Sequence, residues 1–460
     1  MAQLFGTDGI RGYAGRDFFS HGSLVRFGTA LAAWIHERYP ESPSLVILSD
    51  TRISCAWVKA CLTSSLLSKG ITVYDAGVLP TPAAQAVLAQ RKDCAAALII
   101  SASHNPFTDN GLKLVTHEGK LSTEDERRLE TLWLFSDALA SEAHTGFAPL
   151  IAEPTAADMY VRSVLAQFPP GLLQGLKIVL DCAYGASYEV APCIFSQLGA
   201  EIHLLHDSPD GYNINRQCGS TMPLRLQEAV KALGADLGFA FDGDGDRVVA
   251  SNRVGELKDG DDFLVLLSEH SAYAEQCAVV GTVLSNVGCE RYFAQRGRSL
   301  RRAAVGDRNV ARELQEQCLL LGAEPVGHVI VRDLLPSGDG VRSALRVAEG
   351  IIKSGNWDMV TCPKFPQVHR TLRNTERRDL SFEPFASLIR TAESFTEGGR
   401  VLVRYSGTEP VLRIMVEAAS LSVAEKTAEF LEVHLEKSLK ITMEGAEHYE
   451  QSQVTPAAIA

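Results

Sequence analysis

Short aliphatic runs alternate with stretches of helical period along most of the chain, and each run stops at a polar loop. "SLVILSDTR" (44–52) and "AAALIISASHNP" (95–106) form one such pair, and "LKIVLDCAYG" (176–185) and "ADLGFAFDGDGDR" (235–247) form a second. "CAVVGTVLSNVG" (277–288) and "RAAVGDR" (302–308) make a weaker third. Between them, "GSLVRFGTALAAWIHERY" (22–39) and "LRLQEAVKALGA" (224–235) carry apolar residues at helical spacing. Strands alternating with helices predict three successive α/β domains with mixed, mostly parallel sheets. Ligands of such sheets bind beyond the carboxyl ends of the strands, where these polar loops fall.

The last hundred or so residues break the pattern. "GRVLVRYSGTEPVLRIMVEA" (399–418) reads as two strands around a tight polar loop, and "SVAEKTAEFLEVHLEKSL" (422–439) as an amphipathic helix, so a smaller C-terminal α+β domain is expected. The final "EGAEHYEQSQVTPAAIA" lacks periodicity and reads as a frayed tail. "SEAHTGFAPLIAEPTAAD" (141–158) reads as the clearest linker. The expected domains are 1–152, 153–253, 254–365 and 366–460.

A length of 460 residues exceeds what one core serves and agrees with several domains. The 44 Lys and Arg against 56 Asp and Glu give a net charge of −12. Without a basic stripe, nucleic acid and anionic membranes are not expected partners. An acidic chain that binds a phosphorylated ligand must gather positive charge locally, from a metal ion or a few Arg. The ten cysteines lie scattered, mostly in apolar segments, with no Cys-x-x-Cys pair. A zinc site or disulfide scaffold is therefore not expected, and a reducing compartment fits. The N-terminus "MAQLFGTDGIRG" has no apolar core of a signal peptide, and no apolar run approaches a membrane span, so a cytoplasmic protein is expected.

The loop "FDGDGDR" sets Asp242, Asp244 and Asp246 between glycines directly after an apolar run. Two carboxylates about 6 Å apart at an effective dielectric near 20 repel by about 3 kcal/mol, so three in five residues call for a cation. Oxygen-only ligation by few protein groups suits Mg²⁺. An EF-hand needs Gly at the sixth position and Glu at the twelfth, where this chain has Arg247 and Arg253. "SASHNP" has two readings: a Ser/Asn/Pro turn, or a serine, Ser103, held for chemistry. A hydrolase is disfavoured, because no G-x-S-x-G occurs and adjacent Ser103 and His104 are not expected to hydrogen-bond as nucleophile and base. A serine that carries a phosphoryl group, with the carboxylate loop holding its counter-cation, is better supported. "RYSGTEP" offers Arg404, Ser406, Gly407 and Thr408 as an anion cradle, though Ser-Gly-Thr is also common turn chemistry. "FGTDGIRG" is Gly-rich with Arg11 its one cation, and "GAEPVGHVI" places Glu324 and His328 four apart in a Pro/Gly loop. There is no Walker loop and no dinucleotide fingerprint.

Four loops in this order, over roughly residues 3 to 420, resemble the α-D-phosphohexomutase superfamily. The quoted forms "FGTDGIRG", "ISASHNPFTDNGLK", "AFDGDGDR", "VGDR", "SGDGVRSAL" and "SGTEP" look most like its branch acting on glucosamine phosphate. The resemblance implies four domains around a central cleft and interconversion of glucosamine 6-phosphate and glucosamine 1-phosphate. It implies a phosphoserine at Ser103, one Mg²⁺ held by Ser103, Asp242, Asp244 and Asp246, and a sugar 1,6-bisphosphate intermediate that also serves as activator. Arg11, Lys113 and His328 match positions for proton transfer or charge stabilisation, and His104, Asn105 and Arg247 match supports of the phosphoserine and metal. Glu324 and Val326 fall in the sugar loop, and Arg404, Ser406, Gly407 and Thr408 in the loop for the phosphate that is not reacting. That sugar loop usually reads Gly-Glu-x-Ser-Gly-His, with Gln at x in the glucosamine branch. Here Ala323, Pro325 and Val326 replace Gly, Gln and Ser, so glucose or mannose phosphates are the alternative substrates. A sugar-phosphate-binding protein with weakened catalysis is the reading from another class.

Overall fold

The computed structural model describes residues 4–6, 8–136, 146–373, 377–406 and 411–451, with side chains described as far as Leu439. The chain gathers into two compact units, residues 1–283 with 298–361 and residues 284–297 with 362–460.

The first unit holds three sheets. In the first, β1 (Ile10–Tyr13), β2 (Ser44–Ser49), β3 (Thr72–Val78), β4 (Ala96–Ile100), β5 (Asp109–Thr116) and β7 (Leu150–Ala152) lie in the order β1-β5-β4-β2-β3-β7, with β6 (Gly119–Lys120) beside β5. The inner pairs β4–β2 and β2–β3 are parallel, while β5 runs antiparallel to both β4 and β1. Every residue of β2 and β4 is buried, as the continuous apolar runs predict. The helix His21–Arg38 repeats Leu24, Phe27, Leu31, Trp34 and Ile35 on the side turned to this core.

The second sheet joins β8 (Lys177–Asp181), β9 (Glu201–Leu205), β10 (Leu237–Phe241), β11 (Val248–Asn252) and β12 (Leu257–Lys258) in the order β12-β11-β10-β8-β9. The third joins β13 (Ala278–Thr282), β14 (Ser299–Ala303), β15 (Leu321–Ala323) and β16 (Val329–Val331) in the order β14-β13-β15-β16. Parallel pairs at the centre and antiparallel pairs at one edge recur in both. The expected boundary at 253 falls in the turn between β11 and β12.

In the second unit, β17 (Gln367–Arg373), β18 (Arg400–Tyr405) and β19 (Val411–Glu417) form an antiparallel sheet in the order β17-β19-β18. The helix Leu421–Gln451 packs on it through Ala424, Ala428, Leu431 and Leu435. The fold class is thus α/β with a smaller C-terminal domain.

Two local expectations need correction. The tail read as frayed from residue 444 is helical to Gln451, because the helix that starts on the sheet simply continues. The expected linker 141–158 contains β7, which pairs in parallel with β3, and the helix Ala156–Leu165 begins inside it. A run as short as Leu-Ile-Ala shows no period, so its pairing depends on the open edge of β3.

Candidate active site

The serine loop joins β4 to β5, and the carboxylate loop follows β10, so both leave the carboxyl ends of buried strands. Ser103 is fully buried at φ +51°, left-handed backbone that a residue with a Cβ rarely adopts. Its N–H donates to Ser101 Oγ at 2.9 Å. Its carbonyl accepts from Arg52 at 2.7 Å and from Asn215 Nδ2 at 2.8 Å. The Arg52 guanidinium also donates to the carbonyls of Asn105, Pro106 and Asp109 and pairs with Asp50 at 2.8 Å, both side chains being fully buried. One fork-shaped cation therefore ties most of the loop together.

The Ser103 hydroxyl donates to Asp242 Oδ2 at 2.7 Å. It also lies 3.3 Å from His104 Nδ1, although its proton goes to Asp242, so the pair is not arranged as nucleophile and base. The left-handed backbone at Ser103 removes the divergence that an ordinary turn imposes. Burial, with Arg247 and Arg11 nearby, pushes His104 down to about 4, so its ring is neutral near pH 7.

Asp242, Asp244 and Asp246 are buried, and one carboxylate oxygen of each lies within 4.8 Å of those of the other two. Gly245, at φ +70°, supplies the curl between them. Gly243 serves close approach instead, since a Cβ there would lie 2.6 Å from the Ser103 carbonyl oxygen. The repulsion expected among the three carboxylates is partly met inside the protein. Lys113 on β5 reaches Asp244 at 2.8 Å, Asp246 at 3.4 Å and Asp8 at 2.9 Å. Asp244 Oδ1 and Asp246 Oδ1 nonetheless stay buried without a hydrogen-bond partner. Two orphaned buried carboxylate oxygens beside a serine hydroxyl fit a hard divalent cation with oxygen ligands.

The charges around them are strongly set. Burial and the two other carboxylates raise Asp242 well above the carboxylate range. Burial also acts to raise Asp246, but Lys113 and His328 hold it below its ordinary value. Burial opposes the charge on Lys113, yet Asp244, Asp8 and Asp246 hold it well above the usual lysine range. His328 is raised to about 9 against its burial by Asp246 and Asp307, at 3.7 Å and 3.6 Å.

The third domain arrives through the hairpin β15–β16. His328 forms an isolated antiparallel bridge with Arg247, and the Arg247 N–H donates to Asp242 Oδ1 at 3.2 Å. Glu324 is buried, its Oε1 accepting from the Gly306 N–H at 2.9 Å, while its Oε2 has no hydrogen-bond partner among the described residues. Val326 stands 51% exposed at the hairpin tip. Arg11 on β1 donates to Asn105 Oδ1 at 3.3 Å and pairs with Asp8.

Ser103, His104, Asn105, Arg11, Lys113, Asp242, Asp244, Asp246, Arg247, Glu324 and His328 therefore meet in the first unit. Arg404 and Ser406 lie in the second, where burial and the neighbouring Arg413 lower Arg404. Arg404 is the cross-strand partner of Arg413, and Arg377 donates to the Ser406 carbonyl at 2.7 Å. Gly407 and Thr408 lie outside the described residues. Sequence reasoning missed Asp8, Asp50, Arg52, Thr81, Asn215 and Asp307. Asp50 and Arg52 lie in "SDTR", Asp8 in "FGTDGIRG" and Asp307 in "VGDR", loops that the sequence marks without giving these residues a role, while Thr81 and Asn215 carry no such signal. Thr81 donates to Asp244, and Lys120 bridges Asp8 and Asp307.

The four domains of the phosphoglucomutase/phosphomannomutase family match in order. Alpha/beta/alpha domain I matches residues 2–134, domain II 158–255, domain III 259–360 and the C-terminal domain 373–432. A phosphoglucosamine mutase of Marinomonas sp. (strain MWYL1) is 40% identical over 440 residues, 94% of this chain and 97% of that relative. One from Thermus thermophilus is 40% identical over 438 residues, 93% and 97% of the two chains. Among solved structures, a phosphoglucomutase/phosphomannomutase family protein from Burkholderia thailandensis superposes with a TM-score of 0.76 at 23% identity, covering 96% of this chain and 98% of that one. Aspergillus fumigatus N-acetylphosphoglucosamine mutase, in complex with GlcNAc-6P and magnesium, gives 0.67 at 16% identity and covers 95% and 96%.

Proposed function

The chain belongs to the phosphoglucomutase/phosphomannomutase family, and from that membership we propose that it interconverts glucosamine 6-phosphate and glucosamine 1-phosphate. It is an isomerase of the mutase type. The observation that carries the reading is the 2.7 Å hydrogen bond from Ser103 Oγ to Asp242, which puts a buried nucleophile against an acidic triplet from another domain.

In this reaction Ser103 carries a phosphoryl group. The group passes to the free hydroxyl of the bound sugar phosphate, giving the 1,6-bisphosphate, and the sugar's other phosphoryl group then returns to Ser103. In each transfer the attacking hydroxyl gives up its proton and the oxygen of the ester bond that breaks takes one up, so the protons balance within the step. A free 1,6-bisphosphate activates the enzyme by phosphorylating an unloaded Ser103. Asp242, Asp244 and Asp246 would hold Mg²⁺ beside Ser103, where the ion would supply positive charge against the phosphoryl group.

The chain's own residues do the rest. Lys113 and Arg11 bring positive charge to the serine side of the site, and His328 does so from the third domain. Arg247 donates its N–H to Asp242 and fixes the carboxylate loop against His328. His104 and Asn105 shape the serine loop. Glu324 Oε2 is the group on hand for the substrate ammonium, with Val326 at the rim of the same hairpin. Arg404, Ser406, Gly407 and Thr408 hold the phosphate that is not reacting. Among the described residues no disulfide joins the cysteines, which supports work in a reducing cytoplasm. Among the described residues, no helix is long and apolar enough to cross a membrane.

Activity on glucose or mannose phosphates is the second reading, favoured by Ala323, Pro325 and Val326 in the sugar loop. The test compares both sugars with Mg²⁺ and catalytic bisphosphate, in wild type and Ser103→Ala. Glucosamine phosphate should be preferred, intact mass should find one phosphoryl group on wild type alone, and Ser103→Ala should abolish turnover. Near-full activity of Ser103→Ala would sink the mechanism, and preference for glucose phosphate would sink the substrate.

A further inference from the structure

The compact unit of residues 284–297 and 362–460 holds two cysteines that the site does not use. Cys289 occupies the third position of the helix Val287–Gln295, and Cys362 opens the unit's second segment. Their Sγ atoms lie 3.0 Å apart, and both residues are buried. That separation is about 1 Å more than a disulfide bond.

The backbone holds the two sulfurs together. Asn286, the cap of the helix, accepts from the Phe365 N–H at 3.0 Å and donates to the Phe365 carbonyl at 2.8 Å. Gly288 lies so close to the Pro363 carbonyl that a Cβ would sit 2.0 Å from its oxygen. The Arg291 guanidinium stacks 4.5 Å from the centre of the Phe365 ring. The segment 362–365 is thus strapped along the first turn of the helix, and the sulfurs can approach without rearranging it.

We propose that Cys289 and Cys362 are a modification site, an oxidisable dithiol that a hydroperoxide closes to an intrachain disulfide. The chemistry balances with hydrogen peroxide as oxidant. Cys362, the less buried at 6% exposure, attacks one peroxide oxygen as its thiolate, and the O–O bond breaks to leave a sulfenic acid and hydroxide. Cys289 then attacks the sulfenic sulfur, the S–S bond forms and the second oxygen leaves as water. Two thiols and one peroxide become one disulfide and two waters, and a dithiol reductant reverses the change. The bond closes a loop between positions 73 apart, which includes Glu324 and His328, and so restrains the unfolded chain over that stretch.

The full-length protein is treated with hydrogen peroxide, blocked with an alkylating agent and mapped by mass without reduction. The Cys289 and Cys362 peptides should appear joined and lighter by two hydrogens, and Tm should rise by several degrees until dithiothreitol is added. Cys289→Ser and Cys362→Ser should each lose the joined peptide and the Tm rise. Both should melt as reduced wild type does and retain its turnover, since neither cysteine touches the site. The proposal is overturned if Cys289 and Cys362 alkylate as free thiols under peroxide that oxidises the exposed Cys193, Cys277 and Cys318. It is equally overturned if either is found joined to a different cysteine.

Discussion

Arg52 donates to the carbonyl of Ser103 at 2.7 Å from a fully buried guanidinium, so the nucleophile's backbone hangs on a cation that never meets solvent. The same side chain holds the carbonyls of Asn105, Pro106 and Asp109. Lysine would keep the charge and lose the fork. Arg52→Lys should lower kcat about 10- to 100-fold through misplacement of Ser103, with little change in KM. Steady-state kinetics on a variant shown to be folded by near-UV circular dichroism decide it. Equal kcat in the two enzymes would mean that Asp50 and Asn215 hold the loop without Arg52.

Metal should act on stability as well as rate. Asp244 Oδ1 and Asp246 Oδ1 are buried without a hydrogen-bond partner, so an ion that satisfies them stabilises the folded state. At a free Mg²⁺ concentration of a hundred times Kd the gain is about 2.7 kcal/mol. Chelation should stop turnover and lower Tm, and Asp246→Asn should lose most of that Mg²⁺-dependent shift. Because Lys113 already faces Asp244 at 2.8 Å, removing one carboxylate should not raise metal-free stability by relief of repulsion alone. A Mg²⁺-independent Tm in wild type would remove the metal from this loop.

The sugar loop offers a specificity test. Glu324→Gln keeps the acceptor for Gly306 and removes the charge, so it should cost glucosamine phosphate more kcat/KM than glucose phosphate. Val326→Ser, at an exposed tip, should raise kcat/KM by no more than about tenfold, the worth of one neutral hydrogen bond. Equal losses on both sugars in Glu324→Gln would show that this carboxylate does not read the amine.

His270 sets a pH dependence away from the site. It is buried, and its Nδ1 accepts from the Ala272 N–H at 3.1 Å. Burial lowers it from its ordinary 6.5, helped by Lys353 and Arg346 and opposed by Glu349 and Asp333. The unfolded chain therefore binds the proton more readily, and stability falls as pH drops below about 6.5. His270→Asn keeps an acceptor without the titration, so its Tm should fall less than that of wild type between pH 7.5 and 5.5. Parallel falls in the two proteins would assign the acid sensitivity elsewhere.

The sequence made the local chemistry plain. "SASHNP" and "FDGDGDR" interrupt apolar runs with residues that no strand end needs, and both sit where ligands of α/β sheets bind. What it hid depends on tertiary placement. Nothing in "SDTR" marks Arg52 as buried, because Arg after a strand is ordinarily solvated. The contact between Ser103 and His104 follows from a left-handed backbone at a residue that is not glycine, a state local propensity argues against. Lys113 was legible only through family resemblance; its place among the carboxylates comes from the pairing of β5 with β4, which sets it opposite Ile99.

The strand β7 changes where the first domain can be cut. The family's domain I match ends at residue 134, and a fragment ended there would leave β3 with a bare row of amides and carbonyls along Val73–Asp75, where β7 pairs with it. In the intact chain that row is hemmed, Val73 donating to the Pro149 carbonyl at 3.1 Å and Glu153 to that of Asp75 at 2.8 Å. Open edges of this kind recruit other strands, so the shorter fragment is a template for self-association, while one ended just after Glu153 carries its own selvedge.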